Sequence, residues 1–321
     1  MDTPKIHWFP GHMAKTRRLI RESLGLCDGA VEIVDARVTI SGRNPEIEKL
    51  LEGKPRIILL NKADLADADT TARRVVELRR EGTPALAVDC RSGRGLNAFN
   101  PLAREVCAEQ VARNESKGMS GRALRLMVVG IPNCGKSSFI NRMAGRVKAE
   151  AADRPGVTRR TSWFSGNAGR STRTYNDNIG SFMPVSERSG KSIAIGDGLE
   201  FLDTPGVLWP KFEDPVVGLR LAFIGSVKDE ILDIEELACA FLNVMRAHYA
   251  VRLEERYSVD CAVYQEDDPF AAYALLEDIA RSRGFLLRGN EADTIRASRT
   301  LMDEYRAGKL GRITLEEITE L

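Results

Sequence analysis

The sequence of 321 residues predicts an α/β fold with a parallel sheet, followed by an all-α region. Two observations predict it. Short apolar runs alternate with helical patterns through the first two thirds of the chain, and this alternation is typical of a parallel sheet covered on both faces. After Pro210 the pattern is helical to the end, with apolar residues spaced three and four apart. We therefore expect two domains, residues 1–212 and residues 213–321.

Five short runs have the length and the β-branched content of buried strands. They comprise residues 29–37, 56–64, 84–90, 125–130 and 199–206. Helical patterns separate them, at about residues 13–26, 66–81, 95–113 and 136–144. Residues 167–192 fit neither pattern, because half of these 26 residues are Gly, Ser, Thr or Asn without a period. A structureless loop of this length is unusual in a compact domain, so we expect a mobile surface insertion.

The composition is that of a globular protein, with 43% hydrophobic and 29% charged residues. No apolar run approaches the ~20 residues that span a bilayer, and the N-terminus lacks the apolar centre of a secretory signal. The six cysteines form no Cys-x-x-Cys pair, and neither they nor the three histidines have metal-ligand spacing. We expect reduced thiols in a soluble, cytoplasmic monomer with no membrane partner.

A phosphate-binding loop follows the fourth apolar run, where Gly130 and Gly135 enclose four residues and Lys136 and Ser137 follow. The glycines let backbone N–H groups approach phosphate oxygens, and the next helix directs its positive end at the anion. The Lys136 ammonium can bind the β- and γ-phosphates as a catalytic cation, and the Ser137 hydroxyl can bind Mg²⁺. The nucleotide contacts expected from this loop are those of Asn133, Cys134, Gly135, Lys136, Ser137 and Ser138.

The motif Asn61-Lys62-Ala63-Asp64 lies directly after the second apolar run and predicts that the base is guanine. A carboxylate at Asp64 can accept hydrogen bonds from guanine N1–H and from the 2-amino group. Adenine has neither donor and would leave the carboxylate desolvated and unpaired, so a site of this kind rejects it. Asn61 would bond the other edge of the base, and the Lys62 stem would pack along the ring.

Three further segments complete a guanine-nucleotide site. In Asp-x-x-Gly, Asp203 can hold Mg²⁺ through water and the Gly206 N–H can sense the γ-phosphate. Thr158 lies between the phosphate loop and this motif, where it can complete Mg²⁺ coordination when the γ-phosphate is present. The loop after the third apolar run would bring the backbone N–H groups of Cys90 and Arg91 near the guanine oxygen.

The order of these motifs is unusual, because the base-reading motif precedes the phosphate loop. In an ordinary guanine-nucleotide switch the phosphate loop comes first. Neighbours in a sheet need not be neighbours in sequence, so the same site can still close. The order therefore predicts a circularly permuted Ras-like P-loop GTPase domain. It also leads the γ-phosphate-sensing residues 203–209 straight into the helical domain, so that hydrolysis can reorient that domain.

Eight stretches that span nearly the whole chain carry a resemblance to a known family. They are WFPGHMAKTRR, DARVTISGRNP, LLNKADL, GIPNCGKSS, RPGVTR, LDTPGVLWPKFED, ARSRGFLLRGNEADTIRAS and YRAGKLGRITLE. The chain resembles the circularly permuted ribosome-biogenesis GTPases, in particular bacterial ribosome biogenesis GTPase A and its mitochondrial relatives. The resemblance implies a GTPase that acts late in large-subunit assembly, with a helical domain that contacts ribosomal RNA. Thr39 departs from the family, which usually has proline there.

The source of hydrolytic catalysis has two candidates. Many switch GTPases use a glutamine directly after Asp-x-x-Gly to orient the attacking water, and Val207 at that place cannot do so. The resemblance points to His12 of FPGHM as the catalytic histidine. Asn133 is the second candidate, because in related GTPases an asparagine at this loop position holds K⁺ against the phosphates. The two roles are compatible.

The charge distribution bears on RNA binding. Residues 226–321 carry 12 Lys and Arg against 20 Asp and Glu, and the preceding residues carry 35 against 26, so the field favours RNA contact in the N-terminal part. There, basic residues interleave with Trp8, which suits an RNA surface; the alternative is an ordinary solvated helix face. A second basic cluster lies in the acidic helical domain, at Arg281, Arg283, Arg288, Arg296 and Arg299.

Hypotheses from different classes remain. The first is a GTPase that times a late step of large-subunit assembly, with the subunit precursor and its ribosomal RNA as partners and Mg²⁺ and K⁺ as cofactors. The second is an RNA-binding assembly scaffold that uses GTP only as a structural ligand, and Val207 keeps it open. A third, an ATP-dependent kinase, conflicts with Asp64.

Overall fold

The computed structural model describes residues 12–119, 121–145, 162–165, 198–209, 212, 214–265 and 268–316. Three predicted features lie outside these residues: Thr158, the insertion at 167–192 and the segment around Trp8. The backbone of His12 is described, and its side chain is outside the description.

The described strands form one six-stranded sheet. Their bounds are Gly29–Asp35 (β1), Arg56–Asn61 (β2), Ala85–Ala87 (β3), Leu124–Val129 (β4), Ser162–Ser165 (β5) and Leu199–Asp203 (β6). The order across the sheet is β3-β2-β1-β4-β6-β5, and neighbours are parallel except for β5, which pairs antiparallel with β6. The predicted α/β fold is confirmed. The sequence analysis did not predict β5, because a four-residue edge strand is too short to show a period.

Helices cover the sheet and then form the C-terminal region. Their bounds are His12–Leu24 (α1), Pro45–Leu50 (α2), Ala68–Arg80 (α3), Phe99–Val106 (α4), Ala108–Ser116 (α5), Lys136–Met143 (α6), Pro215–Phe223 (α7), Ile234–Tyr257 (α8), Ala271–Ser282 (α9) and Thr294–Arg306 (α10). The helix expected at 95–113 is divided, because Cys107 leaves the helical region with φ −101° and ψ 18°. Within the described ranges, each helix is too short or too polar to cross a membrane.

The sheet core fixes the phosphate loop in place. Every residue of β1 is buried, as expected for a parallel strand covered on both faces. The Phe139 ring of α6 lies edge-on to Phe99 of α4 at 5.1 Å and to Phe201 of β6 at 5.2 Å between centroids. This aromatic cluster holds α6, and the loop that precedes it, against the strand that ends at Asp203.

The helical region packs on the loop after β1 through its last described residues. The Leu315 N–H donates to Arg37 O at 2.9 Å. The buried Glu316 carboxylate accepts the backbone N–H groups of Ile40 and Ser41, each at 2.5 Å. The C-terminal segment is therefore tied by hydrogen bonds to the carboxyl end of the sheet.

A buried cation–π contact joins the same two parts of the chain. The Arg37 guanidinium lies 5.0 Å from the ring centroid of Tyr305 in α10, and both side chains are buried. Among the described residues, the Tyr305 hydroxyl has no hydrogen-bond partner. The ring therefore stabilises the fold, whereas the hydroxyl carries a desolvation cost.

Two substitutions separate these contributions. Tyr305→Phe should leave the free energy of unfolding unchanged or raise it by up to about 1 kcal/mol, because it removes an unpaired buried hydroxyl. Tyr305→Ala should lower the free energy of unfolding by about 3–5 kcal/mol, because it leaves a cavity beside Arg37. Urea denaturation followed by circular dichroism measures both, and equal losses in the two variants would contradict the assignment.

Candidate nucleotide-binding site

The predicted motifs within the described residues follow β3, β2, β4 and β6, and β1 lies between β2 and β4. Strands β2, β1, β4 and β6 are parallel, so their carboxyl ends meet at one edge, where open α/β sheets bind ligands. Asp35 and Asn61 are register partners at the ends of β1 and β2. On the other side of β1, β4 runs into the phosphate loop, and β6 ends at Asp203, the register partner of Val128.

The phosphate loop has a backbone that depends on its glycines. Gly130 has a φ of 148° and Gly135 a φ of 104°, in a region that L side chains rarely adopt. Lys136 begins α6, is only 6% exposed and donates from Nζ to Gly130 O at 3.1 Å and to Ile131 O at 2.7 Å. Its charge is held within the loop, and the positive end of α6 adds to it. This arrangement suits a bound phosphate.

The base-reading motif touches the phosphate loop directly. Asn61 Nδ2 donates to Cys134 O at 2.8 Å, and Lys62 Nζ donates to Asn133 O at 2.8 Å. An amide group has two hydrogens, so the second hydrogen of Asn61 can donate to a base. The two motifs predicted to hold opposite ends of one nucleotide are therefore hydrogen-bonded neighbours.

Asp64 lies half-buried in the turn that follows β2. Lys62 turns the chain sharply before it, with a left-handed φ of 59° that non-glycine residues seldom adopt. The next residue, Leu65, accepts at its carbonyl the N–H of Ile313 at 3.0 Å. The C-terminal segment thus supports the turn that carries the base-reading carboxylate.

The loop after β3 is tied to the same motif. The Cys90 N–H donates to Asn61 Oδ1 at 2.9 Å, and the Arg91 N–H donates to Asp89 Oδ1 at 2.8 Å. Both N–H groups expected near the guanine oxygen thus have protein acceptors, and their contact with the base stays a prediction. Burial raises the pKa of the Cys90 thiol, so the thiol is neutral at physiological pH.

Asp203 ends β6 in surroundings that suit a cation. Its carboxylate is buried, and Oδ1 has no hydrogen-bond partner among the described residues. Burial raises the pKa of Asp203 to about 6, against the opposing field of Lys136. A buried carboxylate oxygen without a partner is costly unless a cation binds it, and Mg²⁺ prefers oxygen ligands such as Asp203 and Ser137. The donor set therefore fits Mg²⁺, although its third predicted member, Thr158, lies outside the described residues.

The segment after β6 lies against the phosphate loop. The Val207 N–H donates to Gly130 O at 3.3 Å, and Val207 O accepts from Asn44 Nδ2 at 3.0 Å. The Val207 side chain belongs to the buried core, so it cannot orient a water molecule. A Cβ on Gly206 would lie 2.7 Å from Pro132 Cα, closer than real Cβ contacts. The segment therefore contacts the phosphate loop through its backbone, and only glycine fits at position 206.

Gly206→Ala tests this close approach. The added methyl group should push residues 206–207 away from Pro132 and lower the free energy of unfolding of the nucleotide-free protein by about 1–3 kcal/mol. Urea denaturation without nucleotide measures the change. Gly118→Ala is the matched control, because no atom lies within 4 Å of its Cβ position, although its φ of 75° adds some backbone strain. A smaller loss for Gly206→Ala than for the control would contradict the contact.

Comparison with known proteins identifies the family. A family model described as 50S ribosome-binding GTPase matches residues 125–269. The chain is 39% identical to ribosome biogenesis GTPase A of Bacillus licheniformis over 97% of this chain and 98% of that protein. The chain belongs to the ribosome biogenesis GTPase A family. It is also 31% identical to mitochondrial ribosome-associated GTPase 1 of Mus musculus, over 96% and 89% of the two chains. The predicted resemblance and the assignment as a GTP hydrolase are confirmed.

A solved structure supports the fold of this family member. The GDP-bound structure of TM YlqF matches it with a TM-score of 0.59 at 24% identity and covers 94% of this chain and 100% of that chain. At this identity the likeness concerns the fold alone. Together with the strand order, it confirms the predicted P-loop GTPase fold with a helical C-terminal region.

Of the two candidate catalytic residues in this ribosome biogenesis GTPase A family member, Asn133 has a described side chain and His12 has only a described backbone. Asn133 has a left-handed φ of 59° and donates from Nδ2 to Gly225 O at 2.7 Å, which joins the phosphate loop to the turn after α7. His12 is the first residue of α1, and its side chain is outside the described residues. Both catalytic roles stay predictions.

Three buried residues near the site, Asp35, Arg37 and Asn44, were not predicted from the sequence. Asp35 pairs with Arg37 and with Lys62. The side-chain amide of Asn44 donates to the carbonyl of Val207. The sequence contained a signal for the pair of Asp35 and Arg37, because a carboxylate ends an apolar strand and an arginine follows two residues later. Charges at such places are seldom buried without a partner, so the pair could have been predicted. The Asn44 contact joins residues distant in sequence, and no local pattern indicates it.

Proposed function

We propose that this protein binds GTP and Mg²⁺ at the carboxyl edge of the sheet and hydrolyses GTP to time a late step of large ribosomal subunit assembly. The observation that supports the site best is the pair of hydrogen bonds from Asn61 to Cys134 O and from Lys62 to Asn133 O. They join the guanine-reading motif to the phosphate loop, as one shared nucleotide requires. In this proposal residues 1–212 form the GTPase domain and residues 213–321 a helical domain that binds ribosomal RNA.

Each end of the nucleotide has its own residues. Asp64 accepts hydrogen bonds from guanine, Asn61 bonds the other edge and the Lys62 stem lies along the ring. The phosphates bind to the loop residues Cys134, Gly135, Lys136, Ser137 and Ser138. Ser137, Asp203 and Thr158 would hold Mg²⁺, which when bound neutralises charge on the β- and γ-phosphates. The Gly206 N–H responds to the γ-phosphate.

Hydrolysis needs a substitute for the glutamine that Val207 replaces. We assign the water-orienting role to His12. The charge that an arginine finger would supply comes in this proposal from K⁺ held by the Asn133 amide oxygen. Intrinsic turnover is therefore slow, and contact with the ribosomal particle completes the site.

The proposed partner is the large-subunit precursor and its ribosomal RNA. The names of the relatives, ribosome biogenesis GTPase A, and of the 50S ribosome-binding family model support it. In the basic cluster, Arg288 and Arg299 are exposed and suit RNA phosphates. Arg283 instead pairs with Glu304 at 3.4 Å and has an internal role. In keeping with its bacterial relatives, we place the protein in the cytoplasm, as a monomer.

Two measurements test the function. Cosedimentation with large subunits should be stronger with a non-hydrolysable GTP analogue than with GDP. GTP turnover should rise on addition of large-subunit particles, and more in K⁺ than in Na⁺.

The outcomes separate the hypotheses. Nucleotide-dependent cosedimentation without stimulated turnover under any condition would favour the RNA-binding scaffold, which the buried Val207 keeps open. Stimulation that is equal in K⁺ and Na⁺ would contradict the K⁺ role of Asn133 and leave the GTPase assignment intact. Competition by ATP as strong as by GTP would contradict the base assignment.

A further inference from the structure

Asp35 is a buried anion between two cations. It is the last residue of β1 and is 0% exposed. Arg37 donates to it twice, from Nε to Oδ1 at 2.9 Å and from Nη2 to Oδ2 at 2.9 Å. Lys62 Nζ lies 3.1 Å from Oδ2. Burial by itself would raise the pKa of Asp35, but the two cations hold it well below its usual range, so the carboxylate stays charged at physiological pH.

The position of the Lys62 ammonium beside Asp35 is not explained by charge balance alone. One guanidinium already balances the Asp35 charge, so Lys62 is not required for neutrality. Lys62 is 27% exposed and carries a flexible stem that could extend into solvent. Its ammonium is instead fixed at two points, Asp35 Oδ2 and Asn133 O, while its backbone adopts a left-handed φ of 59°.

The two fixed points determine where the lysine stem runs. The Lys62 backbone follows the end of β2, and its ammonium reaches across β1 to the phosphate loop on β4. The four methylene groups between them therefore run along the carboxyl edge of the sheet, from the end of β2 toward the phosphate loop. A stem held in this way forms one wall for a planar base, whereas a stem with a single anchor would sample several rotamers.

We propose that Asp35 is a positioning residue for the guanine base and acts through Lys62. The inference rests on the proposed base-stacking role of Lys62. Arg37 balances the buried charge of the carboxylate and so contributes to stability, whereas the carboxylate keeps the lysine stem along the base. Base contacts are common to GTP and GDP, so loss of Asp35 weakens both nucleotides equally. The rate at saturating GTP changes little, because the base takes no part in the transfer of the γ-phosphoryl group.

The test is a double-mutant cycle of Asp35→Asn and Lys62→Met. Dissociation constants for fluorescent N-methylanthraniloyl GDP and GTP are measured by titration of the full chain. Each single variant should weaken both nucleotides by roughly 10-fold or more, the effect of one lost charge-assisted contact. The double variant should bind as Lys62→Met does, within about 2-fold, because Asp35 has no route to the base without the lysine.

Arg37→Met is the matched control. This substitution removes the guanidinium that pairs with the Asp35 carboxylate and leaves the Lys62 side chain unchanged. We expect it to lower the urea midpoint of the nucleotide-free protein while changing nucleotide affinity by less than about 3-fold. If Asp35→Asn does not fold because Arg37 is left unpaired, Asp35→Asn with Arg37→Met replaces it, and Arg37→Met becomes the reference.

The outcomes are distinguishable. Wild-type affinity for Asp35→Asn beside a weakened Lys62→Met would overturn the positioning role and leave the base site intact. Additive losses in the double variant, or an equal loss in Arg37→Met, would overturn it in favour of a purely structural role. Wild-type affinity for Lys62→Met would contradict the proposed function of Lys62, and the inference would fall with it.

Discussion

Lys136→Met should lower kcat for GTP hydrolysis by about 10³-fold, the typical effect of removing one preorganised charge from a phosphoryl-transfer site. Lys136 is the positive group at the centre of the phosphate loop, where Gly130 O and Ile131 O hold its ammonium. Methionine keeps much of the length of the side chain but removes its charge and its N–H donors. The β- and γ-phosphates then lose the cation that stabilises their developing negative charge. Steady-state GTP turnover in the presence of large subunits measures the effect.

The matched control for Lys136→Met is Lys117→Met, because Lys117 is exposed just after α5 and precedes the amino end of β4, whereas the motifs follow the carboxyl ends of the strands. It should leave turnover within about 2-fold of wild type, as surface substitutions usually do. The urea midpoints of both variants exclude unfolding as the cause. Turnover by Lys136→Met within about 10-fold of wild type would show that the loop does not carry the reaction.

The sequence predicted the strands and the motifs well, because both are local patterns. The apolar runs at 56–64 and 125–130 became β2 and β4, and each motif follows its strand directly. Parallel strands place such motifs at one edge, so the meeting of Asn61 with the phosphate loop followed from topology alone.

The sequence did not predict contacts between distant parts of the chain. Glu316 binds the loop after β1, and Tyr305 stacks on Arg37, because the helical region folds back on the base-reading edge. Nothing in the periodicity of α10 indicates which surface its buried face will meet. The division of the helix expected at 95–113 is of the same kind, since Cys107 carries no breaker signal of the Gly or Pro type.

These distant contacts give the nucleotide site a route to the helical region. The Ile313 N–H donates a hydrogen bond to the carbonyl of Leu65, the residue after Asp64. Asn133 Nδ2 donates a hydrogen bond to the carbonyl of Gly225. Both the base-reading turn and the phosphate loop are therefore bonded to the region that the proposed function assigns to RNA. A change in either loop on hydrolysis would alter a hydrogen bond to the helical region.

Asp64→Asn should change the base preference of the site from guanine to xanthine. The Asp64 carboxylate accepts from the N1–H and 2-amino donors of guanine, and xanthine presents an oxygen in place of the amino group. An asparagine amide accepts at its oxygen and donates from its nitrogen, which matches xanthine and leaves the guanine amino group facing another donor. We expect GTP affinity to fall by about 10²-fold or more and xanthosine triphosphate to bind more tightly than GTP.

The deciding measurement is competition by GTP, xanthosine triphosphate and ATP for one fluorescent nucleotide, on wild type and on Asp64→Asn. A guanine nucleotide gripped between Asp64 and Lys136 predicts the order GTP, then xanthosine triphosphate and ATP, in wild type, and a reversal of the first two in the variant. An Asp64→Asn protein that still prefers GTP would show that this carboxylate does not read the base, and would contradict the account of the site.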